Sequence, residues 1–283
     1  MKIISDIKEI QMLLEQLRIK KKIISFVPTM GALHKGHLSL IEIAKKKSDV
    51  IIASIFINPT QFSQSEDFSK YPRQLNKDIK LLQKKCDVLF IPSIEKIYPK
   101  NFATYVEVEN MSSILEGKIR PTHFKGVATV VIKLFNIINP HIAIFGQKDA
   151  QQVAIIKKIV NDLNFNVEII VGKTIREKDG LAISSRNVYL TTEERKNATI
   201  LFKSLQYAKH LIKLGETNSQ KIIFKMKSLI QKNSKSHIQY IAITDLENLS
   251  EKEFIKKNEK ILISLAIKFT SARLIDNVIV KAN

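Results

Sequence analysis

The sequence predicts an α/β fold in which a parallel sheet carries helices on both faces and is followed by a smaller C-terminal α+β domain. Apolar runs of strand length alternate with helical patterns over residues 1–175, and this alternation is typical of parallel sheets. The run at residues 50–57 is almost continuously apolar and mostly β-branched. Such a run indicates a strand that is buried on both faces.

The elements can be assigned in order along the chain. In the first part we expect strands at residues 23–27, 50–57, 87–91, 141–145 and 166–171, and helices at residues 38–47, 78–85, 127–138 and 150–163. After residue 186 the sequence predicts helices at 193–214 and 220–232 and strands at 237–244 and 261–269. The run from Thr191 to Glu194 is typical of a helix cap, so it should open the first of these helices.

Composition limits the class of protein. The chain has 283 residues, of which 45% are hydrophobic, enough to bury a large core. Its single cysteine, Cys86, excludes an internal disulfide, as expected of a cytoplasmic protein, and is predicted to be a buried packing residue. The apolar runs are too short to span a membrane.

The net charge of +19 suggests nucleic-acid binding at first sight. The excess is mostly lysine scattered along the chain, and the seven arginines are scattered too. Base readers favour arginine, and single-strand binders need interleaved aromatic residues. Neither pattern is present, so we expect no nucleic-acid partner; the charge can still attract anionic substrates.

The most informative motif is the segment Phe-Val-Pro-Thr-Met-Gly-Ala-Leu-His-Lys-Gly-His at residues 26–37. It takes the chain from a strand through a loop into a helix that begins with His34 and His37. The first turn of a helix has backbone N–H groups without intrahelical partners and a positive dipole, which suits it to phosphate. Two imidazoles there can also donate hydrogen bonds to phosphoryl oxygens. Ordinary surface histidines or a zinc pair are alternatives, although the metalloprotease pattern His-Glu-x-x-His is absent.

Four further segments carry polar groups beyond strand ends or in loops. Residues 57–62 place the amides of Asn58 and Gln61 after a strand that Pro59 ends. Residues 120–127 form a basic loop that opens a helix, and residues 145–152 repeat the strand–glycine–helix pattern. Residues 176–186 contain an Asp-Gly turn followed by Ser-Ser-Arg, a group that can bind phosphates. Taken singly, each of these segments could be an ordinary turn or loop.

Together these segments resemble the pantoate–β-alanine ligase (pantothenate synthetase) family, within the wider nucleotidyltransferase superfamily that shares His-x-Gly-His. The resemblance extends over essentially the whole chain. It rests on residues 28–37, 54–62, 71–73, 120–127, 145–152, 179–190 and 272–277. Two positions depart from the family pattern: Gln147 stands where glutamate is usual, and Ile183 where methionine is common.

The resemblance implies an enzyme that condenses pantoate with β-alanine, using ATP and Mg²⁺ and releasing AMP and pyrophosphate through a pantoyl adenylate. It also implies a homodimer. The resulting domain prediction is a Rossmann-like domain for ATP and pantoate at residues 1–175, a hinge and phosphate-binding loop at 176–186, and a C-terminal α+β lid domain at 187–283. We expect Mg²⁺ to arrive with ATP, because the sequence shows no carboxylate cluster to hold it.

The resemblance also assigns roles to residues. It implies that His37, His34 and Lys148 are catalytic. The ATP-binding residues implied are Met30, Gly31, Ala32, Leu33, His34, Lys35, Gly36, His37, Gly146, Gln147, Lys148, Asp149, Ile175, Ile183, Ser184, Ser185 and Arg186. Gln61 and Gln152 should bind pantoate or β-alanine.

Three other functions remain open at this point. Another adenylyl or cytidylyl transferase could share the His-x-Gly-His loop but would lack the paired glutamines Gln61 and Gln152. A nucleic-acid-binding protein would show salt-sensitive affinity and no ATP turnover. A non-catalytic relative is the third alternative, against which the intact phosphate-binding set argues.

Overall fold

The computed structural model describes residues 1–63, 68–233 and 236–282, and within these residues it contains two sheets and ten α-helices. The strands are β1 Lys2–Ile4, β2 Ile24–Thr29, β3 Val50–Ile55, β4 Val88–Phe90, β5 Ile142–Gly146, β6 Glu168–Gly172, β7 His237–Thr244, β8 Lys260–Lys268 and β9 Arg273–Lys281. The helices are α1 Ile7–Ile19, α2 Lys35–Lys45, α3 Leu75–Leu82, α4 Ile94–Ile97, α5 Glu116–Ile119, α6 His123–Ile138, α7 Ala150–Asp162, α8 Thr192–Asn197, α9 Ile200–Lys213 and α10 Ser219–Asn233.

The chain packs as two compact units. The first consists of Met1–Gly146 and Ile155–Lys173, and the second of Gln147–Ala154 and Thr174–Asn283. The division after Lys173 lies near the predicted domain boundary at residue 175, but Gln147–Ala154 groups with the second unit, whereas the sequence prediction assigns it to the first domain. The hinge and lid roles stay predictions.

The first unit is built on a parallel sheet with the strand order β1-β4-β3-β2-β5-β6. Strand β3 is buried at every position, so both faces of the sheet are covered, as its apolar sequence predicts. Helix α2 contributes Leu40, Ile41 and Ala44 to the core beneath it. At the end of β6, a Cβ on Gly172 would lie 2.3 Å from Leu40 Cδ2, so only glycine allows this close packing.

The order of the strands reverses between β2 and β5. From β2 the chain proceeds to β3 and β4 on one side, whereas β5 and β6 lie on the other. The two central strands are in register at Phe26 and Ala143. Open α/β sheets bind ligands beyond the carboxyl ends of the strands at such a reversal. Strand β2 ends directly before Met30, and β5 ends at Gly146, so both strands lead into segments that the sequence singles out.

The second unit contains the antiparallel sheet β7-β8-β9. Strand β8 is buried at seven successive positions, Ile261 to Ile267, so this sheet too is covered on both faces. Leu205 of α9 and Met226 of α10 are fully buried in the same core. The predicted fold class is therefore confirmed: a helix-covered parallel sheet with a smaller α+β unit.

Several elements differ from the prediction. The helix predicted at residues 193–214 is two helices, α8 and α9, although Ala198 and Thr199 keep near-helical dihedral angles. The hydroxyl of Thr199 donates to the carbonyl of Lys196 at 2.9 Å, and such side-chain bonds compete with the helical ladder. Strands β1 and β9 and helix α1 were not predicted. Over the described parts of the chain, no helix combines the length and apolarity that crossing a membrane requires.

Candidate active site

The histidine loop, residues 30–37, connects β2 to α2 in the first unit. Gly31 and Ala32 both have positive φ, at 79° and 49°, and this conformation is unfavourable for alanine. The turn places His34 at the N-cap of α2 and His37 in its first turn. The centroids of the two imidazole rings lie 4.1 Å apart, so the spacing of the histidines brings them together as predicted.

The two imidazoles cap the helix reciprocally. His34 Nδ1 accepts from the backbone N–H of Gly36 at 3.1 Å, and His37 Nδ1 accepts from the backbone N–H of His34 at 3.3 Å. A Cβ on Gly36 would lie 2.9 Å from the His34 ring, so glycine at this position lets the ring reach the backbone. At this helix start the imidazoles therefore accept from the backbone N–H groups of Gly36 and His34, which a ligand does not need to satisfy.

This capping fixes the neutral tautomer of both histidines. A ring nitrogen that accepts a hydrogen bond carries no proton, so in each neutral ring the proton is on Nε2. His34 and His37 therefore each carry their N–H at Nε2, near a helix N-terminus. Hydrogen-bond donors at the positive end of a helix suit an anionic oxygen.

Asp78 of α3 holds the same loop, and sequence analysis missed it. Its carboxylate accepts from the backbone N–H groups of Ala32 at 2.9 Å and Leu33 at 2.8 Å. Asp78 is 2% exposed, and buried carboxylates require partners of this kind. These charge-assisted bonds stabilise the left-handed backbone at Ala32.

A buried amide network surrounds Gln61, which lies in a short turn after β3. Asn58 Nδ2 donates to Gln61 Oε1 and to the carbonyl oxygen of Gly126, both at 3.1 Å. Gln61 Nε2 in turn donates to Met30 Sδ at 2.9 Å, and a thioether is a weak acceptor. The structure thus brings together Gln61 and Met30, two of the predicted site residues.

Three residues that the sequence analysis gave no specific role anchor this network. The hydroxyl of Tyr98 donates to Asn58 Oδ1 at 2.8 Å, and burial raises the pKa of that hydroxyl to about 12. His123 Nδ1 lies 2.9 Å from the carbonyl oxygen of Gln61. A Cβ on Gly126 would lie 2.4 Å from the carbonyl oxygen of Thr60, so α6 approaches this turn closely only because glycine is there.

In the second unit, the predicted residues after β5 form the short turn Gln147–Asp149, which leads into α7. Lys148 Nζ lies 3.5 Å from Asp149 Oδ1. The turn is held to β9 by Asn277, whose Nδ2 donates to the carbonyl oxygens of Gln147 at 3.0 Å and Lys148 at 2.9 Å. Gln152 follows in the first turn of α7 and is half-buried.

The other predicted residues of the second unit lie on a tight hairpin and the turn after it. Arg176 and Ala182 pair as a β-bridge, and the N–H of Ile183 donates to the carbonyl of Ile175 at 3.0 Å. Ser184 then caps the turn Ser185–Tyr189, since its Oγ accepts from the backbone N–H of Arg186 at 3.3 Å. Ile175 and Ile183 are thus neighbours, and the Ser-Ser-Arg segment directly follows the hairpin.

Among the residues described, no group of three or more histidines, cysteines, aspartates or glutamates could hold a metal ion. Cys86 is buried as predicted, and burial raises the pKa of its thiol to about 11, which leaves it an unreactive packing residue at neutral pH.

A sequence profile of the family described as Pantoate-beta-alanine ligase matches residues 2–279. The chain belongs to this family. The pantothenate synthetase of Acetivibrio thermocellus is 50% identical over 282 residues, which cover 99% of this chain and 100% of that protein. The pantothenate synthetase of Thermoanaerobacter sp. is 51% identical over 277 residues, covering 98% and 96%.

Solved structures of the pantoate-beta-alanine ligase family agree with the fold. The crystal structure of pantothenate synthetase from Thermus thermophilus matches with a TM-score of 0.91 and 39% identity, covering 98% of this chain and 99% of that one. A crystal structure of the Francisella tularensis ligase, described as complexed with beta-gamma ATP and beta-alanine, has a TM-score of 0.80 and 40% identity, covering 98% and 97%. The predicted family resemblance is confirmed.

Proposed function

We propose that this chain joins pantoate to β-alanine in two steps through a pantoyl adenylate, with ATP as the activating substrate. The match over residues 2–279 establishes the family of this chain, and ATP-dependent ligation of pantoate and β-alanine is the activity of that family. The observation that carries the two-step proposal is the capped pair His34 and His37. It supplies two Nε2–H donors at a helix N-terminus, where charge on a reacting phosphate can be stabilised.

The chemistry asks mainly for positioning and charge neutralisation. First, a carboxylate oxygen of pantoate bonds to the α-phosphorus of ATP, the bond from that phosphorus to its bridging oxygen breaks, and pyrophosphate leaves with the electron pair. Second, the amine of β-alanine bonds to the acyl carbon and gives up a proton, the acyl C–O bond breaks, and AMP leaves. The adenylate is a mixed anhydride, so water must be kept from it between the steps.

The proposal gives each group of residues a role. The donors to the reacting phosphate are His34 and His37; the further phosphate ligands are Lys148, Ser184, Ser185 and Arg186; the ribose ligands are Gly146 and Asp149. A Cβ on Gly146 would meet no atom within 4 Å. Protein packing therefore does not demand glycine there, and close approach of a ligand is a sufficient reason for it.

Gln61 and Gln152 are proposed to bind pantoate through its hydroxyl and carboxylate. Gln61 supports this role because its Oε1 is committed to Asn58, whereas its Nε2 donates to the weak acceptor Met30 Sδ. A carboxylate or hydroxyl oxygen is a stronger acceptor than a thioether and would replace it favourably. A neutral amide also binds the attacking carboxylate without neutralising it.

Mg²⁺ is proposed to arrive on the phosphates of ATP. Mg²⁺ in nucleotide enzymes is commonly held by substrate phosphates with one or two carboxylates, and a chain without a clustered ligand set among its described residues fits that mode. When bound, the ion would neutralise phosphate charge. Chelation should abolish pyrophosphate release, and Mn²⁺ should restore it, because both ions favour oxygen ligands.

A homodimeric, cytoplasmic enzyme completes the proposal. The support is the family resemblance for the dimer, and the single buried thiol of Cys86 for a reducing compartment. Light scattering of the purified protein tests the dimer, since a monomer mass at micromolar concentration would refute it.

The test of the two-step reaction follows both products and an isotope. Purified protein with ATP, Mg²⁺ and pantoate should catalyse exchange of labelled pyrophosphate into ATP without β-alanine. AMP and the amide should accumulate only when β-alanine is added. Pantoate labelled with ¹⁸O in its carboxylate should transfer one ¹⁸O to AMP. Release of ADP and phosphate, or AMP without the label, would refute the adenylate.

A further inference from the structure

Two buried polar side chains on β9 have no role in the function proposed above. Asp276 and Asn277 are 2% and 4% exposed, and they stand opposite Leu265 and Ser264 of β8. Buried carboxylates and amides are costly unless they are hydrogen-bonded. Their partners therefore indicate why they are there.

Asn277 is bound to the turn that carries Lys148. Its Nδ2 donates to the carbonyl oxygens of Gln147 and Lys148, and its Oδ1 accepts from Gln147 Nε2 at 3.0 Å. Backbone carbonyl oxygens can only accept, so the orientation of the Asn277 amide is fixed. Asn277 Oδ1 therefore needs a hydrogen-bond donor, and the side-chain amide of Gln147 is that donor.

Asp276 is bound to the hairpin that leads to the Ser-Ser-Arg segment. Its carboxylate accepts from Arg176 Nη1 at 2.6 Å and Nη2 at 2.9 Å, in the two-pronged geometry favoured by arginine. Arg176 also donates to the carbonyl oxygen of Gly180 at 3.1 Å, and its guanidinium lies 4.7 Å from the centre of the Phe202 ring.

The hairpin packs closely against Phe202 at Gly180, whose carbonyl oxygen accepts from Arg176. Gly180 has φ of 93°, and a Cβ there would lie 2.0 Å from Phe202 Cδ1. The backbone N–H of Asn277 donates to Asp276 Oδ1 at 2.8 Å, so the two neighbouring side chains are themselves connected. One dipeptide of β9 thus holds two segments that lie far from it and from each other in sequence.

We propose that Asp276 and Asn277 are positioning residues for nucleotide binding: together they fix the Gln147–Asp149 turn relative to the hairpin before Ser184, Ser185 and Arg186. The inference rests on the proposed function, which gives Lys148 and these three residues the phosphates of ATP. A lysine is a point charge on a flexible stem, so its backbone must be fixed for its charge to meet a phosphate. A misplacement of about 1 Å can cost about 10²-fold in rate.

The inference also gives Gln147 a specific place. Its side-chain amide donates to Asn277 Oδ1, so this bond within the protein is one role of the side chain. The donor at Gln147 satisfies Asn277 Oδ1 while Asn277 Nδ2 holds the two carbonyl oxygens. Asp276 and Asn277 therefore act on the nucleotide only through the segments that they hold.

The test is a double-mutant cycle between Asn277 and Lys148, read as kcat and KM for ATP in pantoate-dependent pyrophosphate release. Asn277→Asp replaces the donating amide nitrogen by a carboxylate oxygen that faces two carbonyls. We expect it to reduce kcat/KM for ATP by about 10- to 100-fold. In a Lys148→Ala background, Asn277→Asp should reduce kcat/KM for ATP by no more than about threefold. The effects of two residues that act through the same interaction do not add. Asn248→Asp, the same charge change at an exposed position, is the matched control and should leave kcat/KM unchanged.

The outcomes separate the two proposals. A wild-type protein without pantoate-dependent pyrophosphate release would refute the proposed function and, with it, this inference. If Lys148→Ala impairs turnover but Asn277→Asp is silent or fully additive with it, the inference alone fails. Should Asn277→Asp not fold, Gln147→Met takes its place. It removes the donor to Asn277 Oδ1 together with the rest of the amide and keeps a side chain of similar length. We expect a three- to tenfold rise in the KM for ATP, and an unchanged KM would overturn the inference.

Discussion

Two helices of this protein begin with the same reciprocal capping geometry built from different residues. In α8, Thr191 Oγ1 accepts from the N–H of Glu194, whose carboxylate accepts from the N–H of Thr191. In α2, the imidazoles of His34 and His37 take both of these places. Threonine and glutamate are the usual residues of a capping box, whereas histidine is not.

The difference shows what the histidines add. Thr191 and Glu194 satisfy the first turn of α8 with a hydroxyl and a carboxylate, so this helix start carries a negative charge. His34 and His37 satisfy the first turn of α2 with Nδ1 and carry their N–H at Nε2. A helix start that only needs stability can use a carboxylate. A helix start that meets phosphate needs donors, because a carboxylate would repel it.

The largest expected effect is on turnover by His37→Asn. Asparagine can keep an acceptor near the position of Nδ1 for the N–H of His34, but it lacks the distal donor. We expect kcat to fall by about 10²–10³, the usual cost of one transition-state donor, while the urea unfolding midpoint stays close to that of the wild type. The measurement is steady-state pyrophosphate release together with urea unfolding.

The matched variant is His37→Ala, which removes the cap as well as the donor. It should lose the same 10²–10³ in kcat and about 1 kcal/mol of stability, the typical cost of a lost cap. Near-normal turnover in His37→Asn would remove Nε2 from the mechanism. A cost in stability equal to that of His37→Ala would show that asparagine does not cap α2.

A smaller effect is expected at Asp78, which holds the loop before α2 and has no counterpart in the cap of α8. Asp78→Asn replaces one carboxylate oxygen, an acceptor, by an NH2 group, a donor. That NH2 group would face the backbone N–H of Ala32 or Leu33, which then lacks an acceptor. The expected cost is about 1–3 kcal/mol of stability. Because the loop positions both histidines, we also expect a roughly tenfold rise in the KM for ATP.

Urea unfolding and ATP titration of initial rates measure these two quantities. Asp162→Asn removes the same charge at an exposed surface pair with Lys158 and should change stability by less than about 1 kcal/mol. An Asp78→Asn protein as stable as this control would contradict the loop-holding role of the carboxylate.

The extent of sequence prediction follows the range of the interactions. His34 and His37 could be predicted as neighbours because they are three residues apart, and Thr191 and Glu194 as a cap for the same reason. The buried strands β3 and β8 were predicted because burial on both faces leaves an apolar run. These features are local, so the sequence shows them directly.

Asp78 and Asn277 were missed because nothing local distinguishes them. Asp78 lies on a helix where a carboxylate usually faces water, and its contacts are 45 and 46 residues away. Asn277 bonds to residues 129 and 130 positions earlier. The sequence thus showed the residues proposed to meet the substrates, but not those that hold them in place.

The smallest expected effect is the pH dependence that Glu194 gives to the second unit. Hydrogen bonds from the hydroxyl of Ser271 and then from the N–H of Thr191 lower the pKa of Glu194 from 4.5 to about 2. The folded state therefore favours the carboxylate. Its contribution to stability is complete above pH 4.5 and is lost as the pH falls towards 2. The cap of α2 contains no carboxylate, since imidazole nitrogens make it.

Glu194→Gln tests this assignment when urea unfolding is followed from pH 7 to pH 3. The variant should be slightly less stable than the wild type at pH 7, since an amide accepts more weakly than a carboxylate and adds a donor beside the N–H groups of Thr191 and Ser271. The difference between the two proteins should shrink below pH 4.5, because the unfolded wild-type chain then takes up a proton at Glu194 that the folded protein, with its lowered pKa, does not. Glu193→Gln, the same change at the neighbouring exposed position, should show no such convergence. A constant difference between wild type and Glu194→Gln across this range would mean that the charge on Glu194 does not stabilise the start of α8.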